Sequence, residues 1–116
     1  MTQVTIYHNP KCSKSRQTLA LLEEKNITPE IILYKETAIS AAQLSNILLM
    51  LNLSARDLIR KSESEYDSMG LENQDLSEEQ LIDSIIKAPI LMQRPIVLAN
   101  GQARIGRPPE SVLEII

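Results

Sequence analysis

An α/β fold is what this 116-residue sequence predicts, opening β-α-β, continuing as a helical block and closing β-β-α. Three observations predict it. Two short apolar runs, at 3–7 and 30–34, flank a helical pattern, the spacing of a parallel βαβ unit with a right-handed crossover. The middle of the chain carries capping-box sequences followed by apolar residues at helical intervals. Near the end, Asn100-Gly101 separates two strand-like runs, the commonest signature of a type I′ hairpin.

Each element has its own local justification. The run Val4-Thr5-Ile6-Tyr7, within a strand expected at 3–7, is β-branched and leads into a Pro-containing loop. Residues 13 to 25 read as a helix carrying Leu19 and Leu22, ended by Asn26-Ile27-Thr28-Pro29. Residues 30–34 are continuously apolar at Ile31-Ile32-Leu33, which predicts a strand buried on both faces. Ser40-Ala41-Ala42-Gln43 is a capping box, and Leu44, Ile47, Leu48 and Leu51 follow on one helical face. Ser54-Ala55-Arg56-Asp57 opens a second short helix with Leu58 and Ile59. The stretch 62–75 is polar and reads as loose. Ser77-Glu78-Glu79-Gln80 is another capping box, with Leu76 and Leu81 at the positions of a hydrophobic staple. That helix shows Leu81, Ile82, Ile85 and Ile86 before Pro89 stops it. Strand character returns at Pro95-Ile96-Val97-Leu98, residues 102–106 are its hairpin partner, and Pro108-Pro109-Glu110 starts a final short helix reaching Ile116. No internal repeat or linker is visible. The expected organisation is one domain over 1–116, with an α/β core of about 1–35 and 93–116 and a helical insertion of about 38–90.

Composition narrows the class. The core must be aliphatic, because Phe and Trp are absent and Tyr occurs three times. A net charge of −3 argues against a general nucleic-acid binder. Apolar runs fall well short of the ~20 residues that span a membrane, and the N-terminal residues lack the pattern of a signal peptide. One unpaired cysteine then fits a reducing, cytoplasmic setting.

That cysteine is the candidate for chemistry. Cys12 sits in His8-Asn9-Pro10-Lys11-Cys12-Ser13-Lys14-Ser15-Arg16, between the first strand and the first helix. There it meets free backbone N–H groups and the positive end of a helix dipole, both of which favour the nucleophilic thiolate. Lowering a thiol from ~8.5 to about 6.5 takes roughly 2.7 kcal/mol, and a helix terminus supplies at most ~2 kcal/mol. His8, Lys11, Lys14, Ser15 and Arg16 can add the remainder if they face the sulfur. His8 either bonds a loop carbonyl or acts as an imidazolium beside the thiol. One His and one Cys do not make a metal ligand set. Arg60, Arg94 and Arg107 stand at element edges, the last two near the sheet end expected to hold Cys12. Their planar forks suit tetrahedral oxyanions. Arg56, Arg104, the Glu23-Glu24 pair, Glu63, Glu65 and Asp67 read as solvated. Pro95 heads a strand, a position compatible with an edge or a cis turn. The arginine six positions after the cysteine that a cysteine phosphatase needs is replaced by Thr18.

The pattern resembles the glutaredoxin-linked arsenate reductase family, a branch of the thioredoxin-like superfamily. The matching residues are His8-Asn9-Pro10-x-Cys12-x-x-Ser15-Arg16, 34–37, Leu58-Ile59-Arg60-Lys61 and Leu81-Ile82-Asp83, continuing through Pro89-Ile90-Leu91, Arg94-Pro95-Ile96-Val97 and Arg107-Pro108 to Val112-Leu113-Glu114. They run in order over nearly the whole chain. The resemblance implies a thioredoxin-like βαβ…ββα mixed sheet with a helical insertion. It implies that Cys12 attacks arsenate, that glutathione condenses on the arsenic, and that glutaredoxin completes the reduction to arsenite, with no tightly bound cofactor. It assigns oxyanion binding to Arg60, Arg94 and Arg107 with Ser15, cysteine activation to His8, and the cis proline beside the site to Pro95. A lone cysteine agrees with such a division of labour, since it cannot close an internal disulfide. Detoxifying members often carry Pro-Ala-Cys-Gly-Thr, whereas this chain has Lys11, Ser13 and Lys14, as in a housekeeping-looking branch. Two other readings share the fold: a glutathione-dependent thiol transferase without arsenate activity, and an RNA-polymerase-binding regulator, whose usual two-cysteine switch is missing here.

Overall fold

The computed structural model describes residues 3 to 116. Two compact units make up the chain, one from the segments up to Thr37 and from Arg94 to Ile116, the other from Ala38 to Gln93.

The first unit is a four-stranded sheet in the order β2-β1-β3-β4, built from β1 (Val4–His8), β2 (Glu30–Leu33), β3 (Ile96–Ala99) and β4 (Gln102–Ile105). β1 and β2 run parallel with Tyr7 opposite Ile32, and α1 (Ser13–Glu24) is the crossover between them. β3 lies antiparallel to β1, and β4 antiparallel to β3. Asn100 and Gly101 both take positive φ, 54° and 72°, and Ala99 faces Gln102 across the turn. That is the backbone a type I′ hairpin requires. Val4 and Ile6 from β1, Leu22 from α1, Val97 and Ala99 from β3, and Val112 and Ile115 near the end of the chain form one buried cluster. The period-2 alternation of Val4 and Ile6 places both on one face of the sheet, and α1 packs with the closing turn of 3₁₀ helix at Pro109–Glu114.

Some local expectations change. β2 ends the sheet instead of lying inside it, and Ile31 is 47% exposed. A short apolar run reports hydrophobicity but not whether a second strand covers it. The strand stops at Leu33 because its carbonyl accepts the N–H groups of both Glu36 and Thr37, turning the chain. β3 begins after Pro95, which has no N–H for the ladder. The final helix is of 3₁₀ type and starts at Pro109.

The register has one consequence for function. β1, β2 and β4 leave the sheet at the same end at which β3 enters it. The residues after Leu33, after His8 and after Ile105, and those before Ile96, therefore gather along a single rim.

The second unit comprises α2 (Ala41–Leu51), α3 (Ala55–Leu58), α4 (Ser64–Ser68), α5 (Glu78–Lys87) and a 3₁₀ turn at Pro89–Leu91. Both expected capping boxes form, Ser40 with Gln43 and Ser77 with Gln80, and Ser54 with Asp57 makes a third. Pro89 ends α5 as its missing N–H dictates. α5 packs on α2 and α3 and buries Leu81, Ile82 and Ile85, while α2 buries Leu44, Ile47 and Leu48. The polar stretch 62–75 is more ordered than its composition suggests. It contains α4 and the fully buried Leu71, and Arg56 donates to the carbonyls of Leu71 and Asn73, each at 2.9 Å. Arg56 is thus a clasp on this loop and not a solvated charge. Ile59 and Met92 form an isolated antiparallel bridge, flanked by bonds from Arg60 N–H to Leu91 O (2.6 Å) and from Gln93 N–H to Leu58 O (3.0 Å).

Candidate active site

Between His8 and Ser13 the chain must turn from strand into helix, and Asn9 governs the turn. Its N–H donates to Ser15 Oγ (3.0 Å), its side-chain oxygen accepts the Lys11 N–H (3.1 Å), and its carbonyl accepts the Cys12 N–H (3.0 Å). Arg16 adds a bond from its guanidinium to Pro10 O at 2.8 Å. Cys12 is left as the N-cap of α1, with φ −94° and ψ 124°. This is the position at which a Ser, Thr, Asp or Asn oxygen normally accepts first-turn N–H groups. The thiol itself closes no cap hydrogen bond of ordinary geometry, but the Ser15 and Lys14 N–H groups favour its ionised form.

Two arginines complete the surroundings of the sulfur. Arg107 follows β4 and donates through Nε to Arg94 O (2.8 Å) and through Nη2 to Cys12 Sγ (3.4 Å). Arg94 precedes β3, is largely buried and directs its side chain to the same sulfur. Partial burial pushes the Cys12 thiol up. Against it act the Ser15 N–H, the Arg94 side chain, the Lys14 N–H and the Arg107 charge, and the net result lies below the ordinary thiol value. Arginines from the far end of the sequence thus act on the thiolate in the same direction as the helix terminus.

His8 enters differently from both readings, the loop-carbonyl bond and the imidazolium beside the thiol. Burial, and then the Arg16 charge, lower its pKa, so the ring is neutral at neutral pH. Its Nδ1 lies 2.6 Å from Ser15 Oγ. Because that oxygen already accepts the Asn9 N–H, its own proton is free to be donated to Nδ1. Ser15 is fully buried and its hydroxyl is engaged in this link, so the group it turns toward the sulfur is its backbone N–H. The Arg94–Pro95 peptide is cis, as is Arg107–Pro108. Gly106 N–H donates to Pro95 O at 2.9 Å. A Cβ at Gly106 would overlap Thr18 Oγ1 and stand 2.8 Å from Pro95 Cγ, so only glycine permits this approach.

Arg60 belongs to the helical unit. There its backbone is fixed opposite Leu91 and its Nε lies 3.4 Å from the Glu63 carboxylate, which removes Glu63 from the merely solvated class. Arg104 makes a loose ion pair with Glu114 at 3.8 Å. Among the described residues no group of three or more His, Cys, Asp or Glu is placed to hold a metal ion, and no helix is long and apolar enough to cross a membrane. Arg16 was expected beside the sulfur, whereas its guanidinium holds Pro10 O; Asn9 and Gly106 were not singled out as working parts. Asn9 stood within the matched motif, and a glycine directly before a candidate arginine was the available signal for Gly106.

A cysteine at a helix N-cap, facing two arginines carried by the entry of β3 and the exit of β4, invites comparison with known proteins. A model of the ArsC family matches residues 7–115. This chain belongs to the ArsC family. It is 56% identical over 115 residues to YfgD, an uncharacterized protein of Escherichia coli strain K12, covering 98% of this chain and 97% of that one. It is 47% identical over 114 residues to an arsenate reductase of Haemophilus influenzae, covering 97% and 98% of the two chains. The solved structure of an arsenate reductase from Vibrio cholerae matches with a TM-score of 0.96 at 48% identity, over 99% of this chain and 98% of that one. The thioredoxin-like architecture expected from the sequence is therefore the fold of this ArsC protein.

Proposed function

We propose that this ArsC protein reduces arsenate to arsenite through the Cys12 thiolate, using glutathione and glutaredoxin as external thiols. The observation that carries the reading is the convergence of Arg94 and Arg107 on a sulfur whose ionised form they favour together with the Ser15 and Lys14 N–H groups. The same four groups that stabilise a thiolate can receive a tetrahedral oxyanion as negative charge passes from sulfur to the arsenate oxygens. The sulfur attacks arsenic and water leaves, forming a Cys12–S–As(V) bond. Glutathione then adds its sulfur to the arsenic with loss of a second water. A glutaredoxin thiolate attacks the glutathione sulfur, the S–As bond breaks, and its electron pair stays on arsenic, now As(III). Hydrolysis releases arsenite and restores Cys12, and the two electrons end in the glutathione–glutaredoxin disulfide. With one cysteine in the chain, both resolving thiols must come from outside.

In this reading His8 is a positioning residue that holds Ser15. The test is a coupled assay with arsenate, glutathione, glutaredoxin and an NADPH-driven reductase. Arsenite release and NADPH oxidation that depend on Cys12 support the proposal; a Cys12→Ser variant turning over at the wild-type rate refutes it. Formation of a Cys12–glutathione mixed disulfide without any arsenate turnover would favour the thiol transferase reading instead.

A further inference from the structure

We propose that the cavity on the β2 side of the Cys12 loop is the binding site for a small anionic peptide thiol, one bearing two carboxylates and an ammonium group; the proposal rests on the thiol-dependent reading above and gives its co-substrate a place. The cavity measures about 290 Å3. One wall is the segment from His8 to Lys11 that leads directly into Cys12, and the other is Leu33, Lys35 and Glu36 beyond the end of β2.

Its position follows from the strand order. Along the rim the exits of β2 and β1 come first, then the entry of β3 with Arg94, then the exit of β4 with Arg107. β1 has β2 on one side and β3 on the other, so the loop ending in Cys12 has the arginines on one flank and this cavity on the opposite flank. An oxyanion held by the arginines fills the first flank. A second thiol that must reach an arsenic atom bonded to Cys12 then has the cavity side from which to approach.

Chemistry agrees with position. Lys11 and Lys35 offer two ammonium groups and Glu36 one carboxylate, a net charge of +1. A γ-glutamyl tripeptide thiol such as glutathione carries the inverse set. Leu33 and Pro10 supply apolar surface for its methylene groups, and the cavity is near the lower end of the ~300–1,000 Å3 range for small-molecule sites. Asn9 contributes wall without competing for the ligand, since its N–H, carbonyl and side-chain oxygen all hold the loop. Lys35 and Glu36 are exposed and make no part of the sulfur's surroundings, so both can be changed without disturbing Cys12.

The experiment titrates S-methylglutathione, which has no thiol to react, into isotope-labelled wild-type protein and follows backbone amide resonances. Saturable shifts at residues 8–9, 11 and 33–36, with Gly106 and Arg107 unmoved, are expected. Lys35→Glu should weaken binding by about tenfold or more and raise the glutathione KM by a similar factor, while Lys35→Arg retains both. Shifts confined to other residues, no saturable shifts, or undiminished binding to Lys35→Glu would overturn the site. A separate readout, protection of Cys12 from alkylation by arsenate, reports on the catalytic reading alone. Its loss with the titration intact condemns that reading and spares the cavity, and the converse result condemns the cavity only.

Discussion

In the sheet unit the buried polar side chains His8, Asn9, Ser15, Thr18 and Arg94 belong to the loop, the helix turns and the strand entry at one end of the sheet. In the helical unit Ser40, Gln43, Ser54, Asp57, Ser77 and Gln80 close helix ends at the surface, each over three residues of sequence. The contrast separates two uses of polar groups. Caps satisfy orphan N–H groups locally and stabilise a helix whatever else the protein does. The rim network instead takes groups from water, holds them by bonds to distant segments, and fixes the protonation of one thiol. Changes in the first set should alter stability alone, and changes in the second should alter stability and reactivity together.

The largest expected effect is at the sulfur itself. Cys12→Ser should reduce arsenite formation in the coupled assay to the uncatalysed background. Next come Arg94→Ala and Arg107→Ala, each expected to lower kcat/KM for arsenate by about 10²–10³, the cost of removing one preorganised donor to a developing anion. Each should also raise the pH midpoint of Cys12 alkylation. Arg60→Ala sharpens the comparison, because the groups that favour the thiolate all lie in the sheet unit. It should leave the alkylation midpoint in place.

Smaller effects divide the units most clearly. Asn9→Ala removes a buried side-chain acceptor and should cost about 1–3 kcal/mol in denaturant unfolding, with a changed rate of Cys12 alkylation. Ser77→Ala should cost about 1 kcal/mol with the alkylation rate unchanged; a shift in that rate would break the proposed separation. Smallest is a pH effect. The folded thiol titrates below the unfolded one, so between the two values the unfolded chain holds more protons and stability rises with pH. The contribution is complete above the unfolded value of ~8.5 and is lost as pH falls through the folded value. The stability difference between wild type and Cys12→Ser should therefore widen on going from mildly acidic to alkaline solution.

Much of the architecture was legible because it is written locally. The Ser-x-x-Gln boxes, Asn100-Gly101 and Pro89 each act within a few residues, and the βαβ opening follows from spacing. β2 was misjudged because Ile31-Ile32-Leu33 carries no sign of the missing neighbour at the sheet edge. Arg56 escaped notice because its partners are backbone carbonyls at Leu71 and Asn73, which have no sequence signature. In the site, Cys12 was evident from its turn, and Arg94 and Arg107 from their places beside strands. The fate of His8 was not, since its neutrality depends on burial and on Arg16. Nor was the engagement of the Ser15 hydroxyl, which needs the fold of Asn9 above it.

The central claim is that helix N–H groups and two arginines lower the pKa of Cys12 and favour its thiolate. Ultraviolet thiolate absorbance against pH tests it directly, because the chain has a single cysteine and Cys12→Ser supplies the baseline. A wild-type midpoint below ~8.5 that rises in both Arg94→Ala and Arg107→Ala is the predicted result. A midpoint at or above that value, or one indifferent to both arginines, would contradict the account.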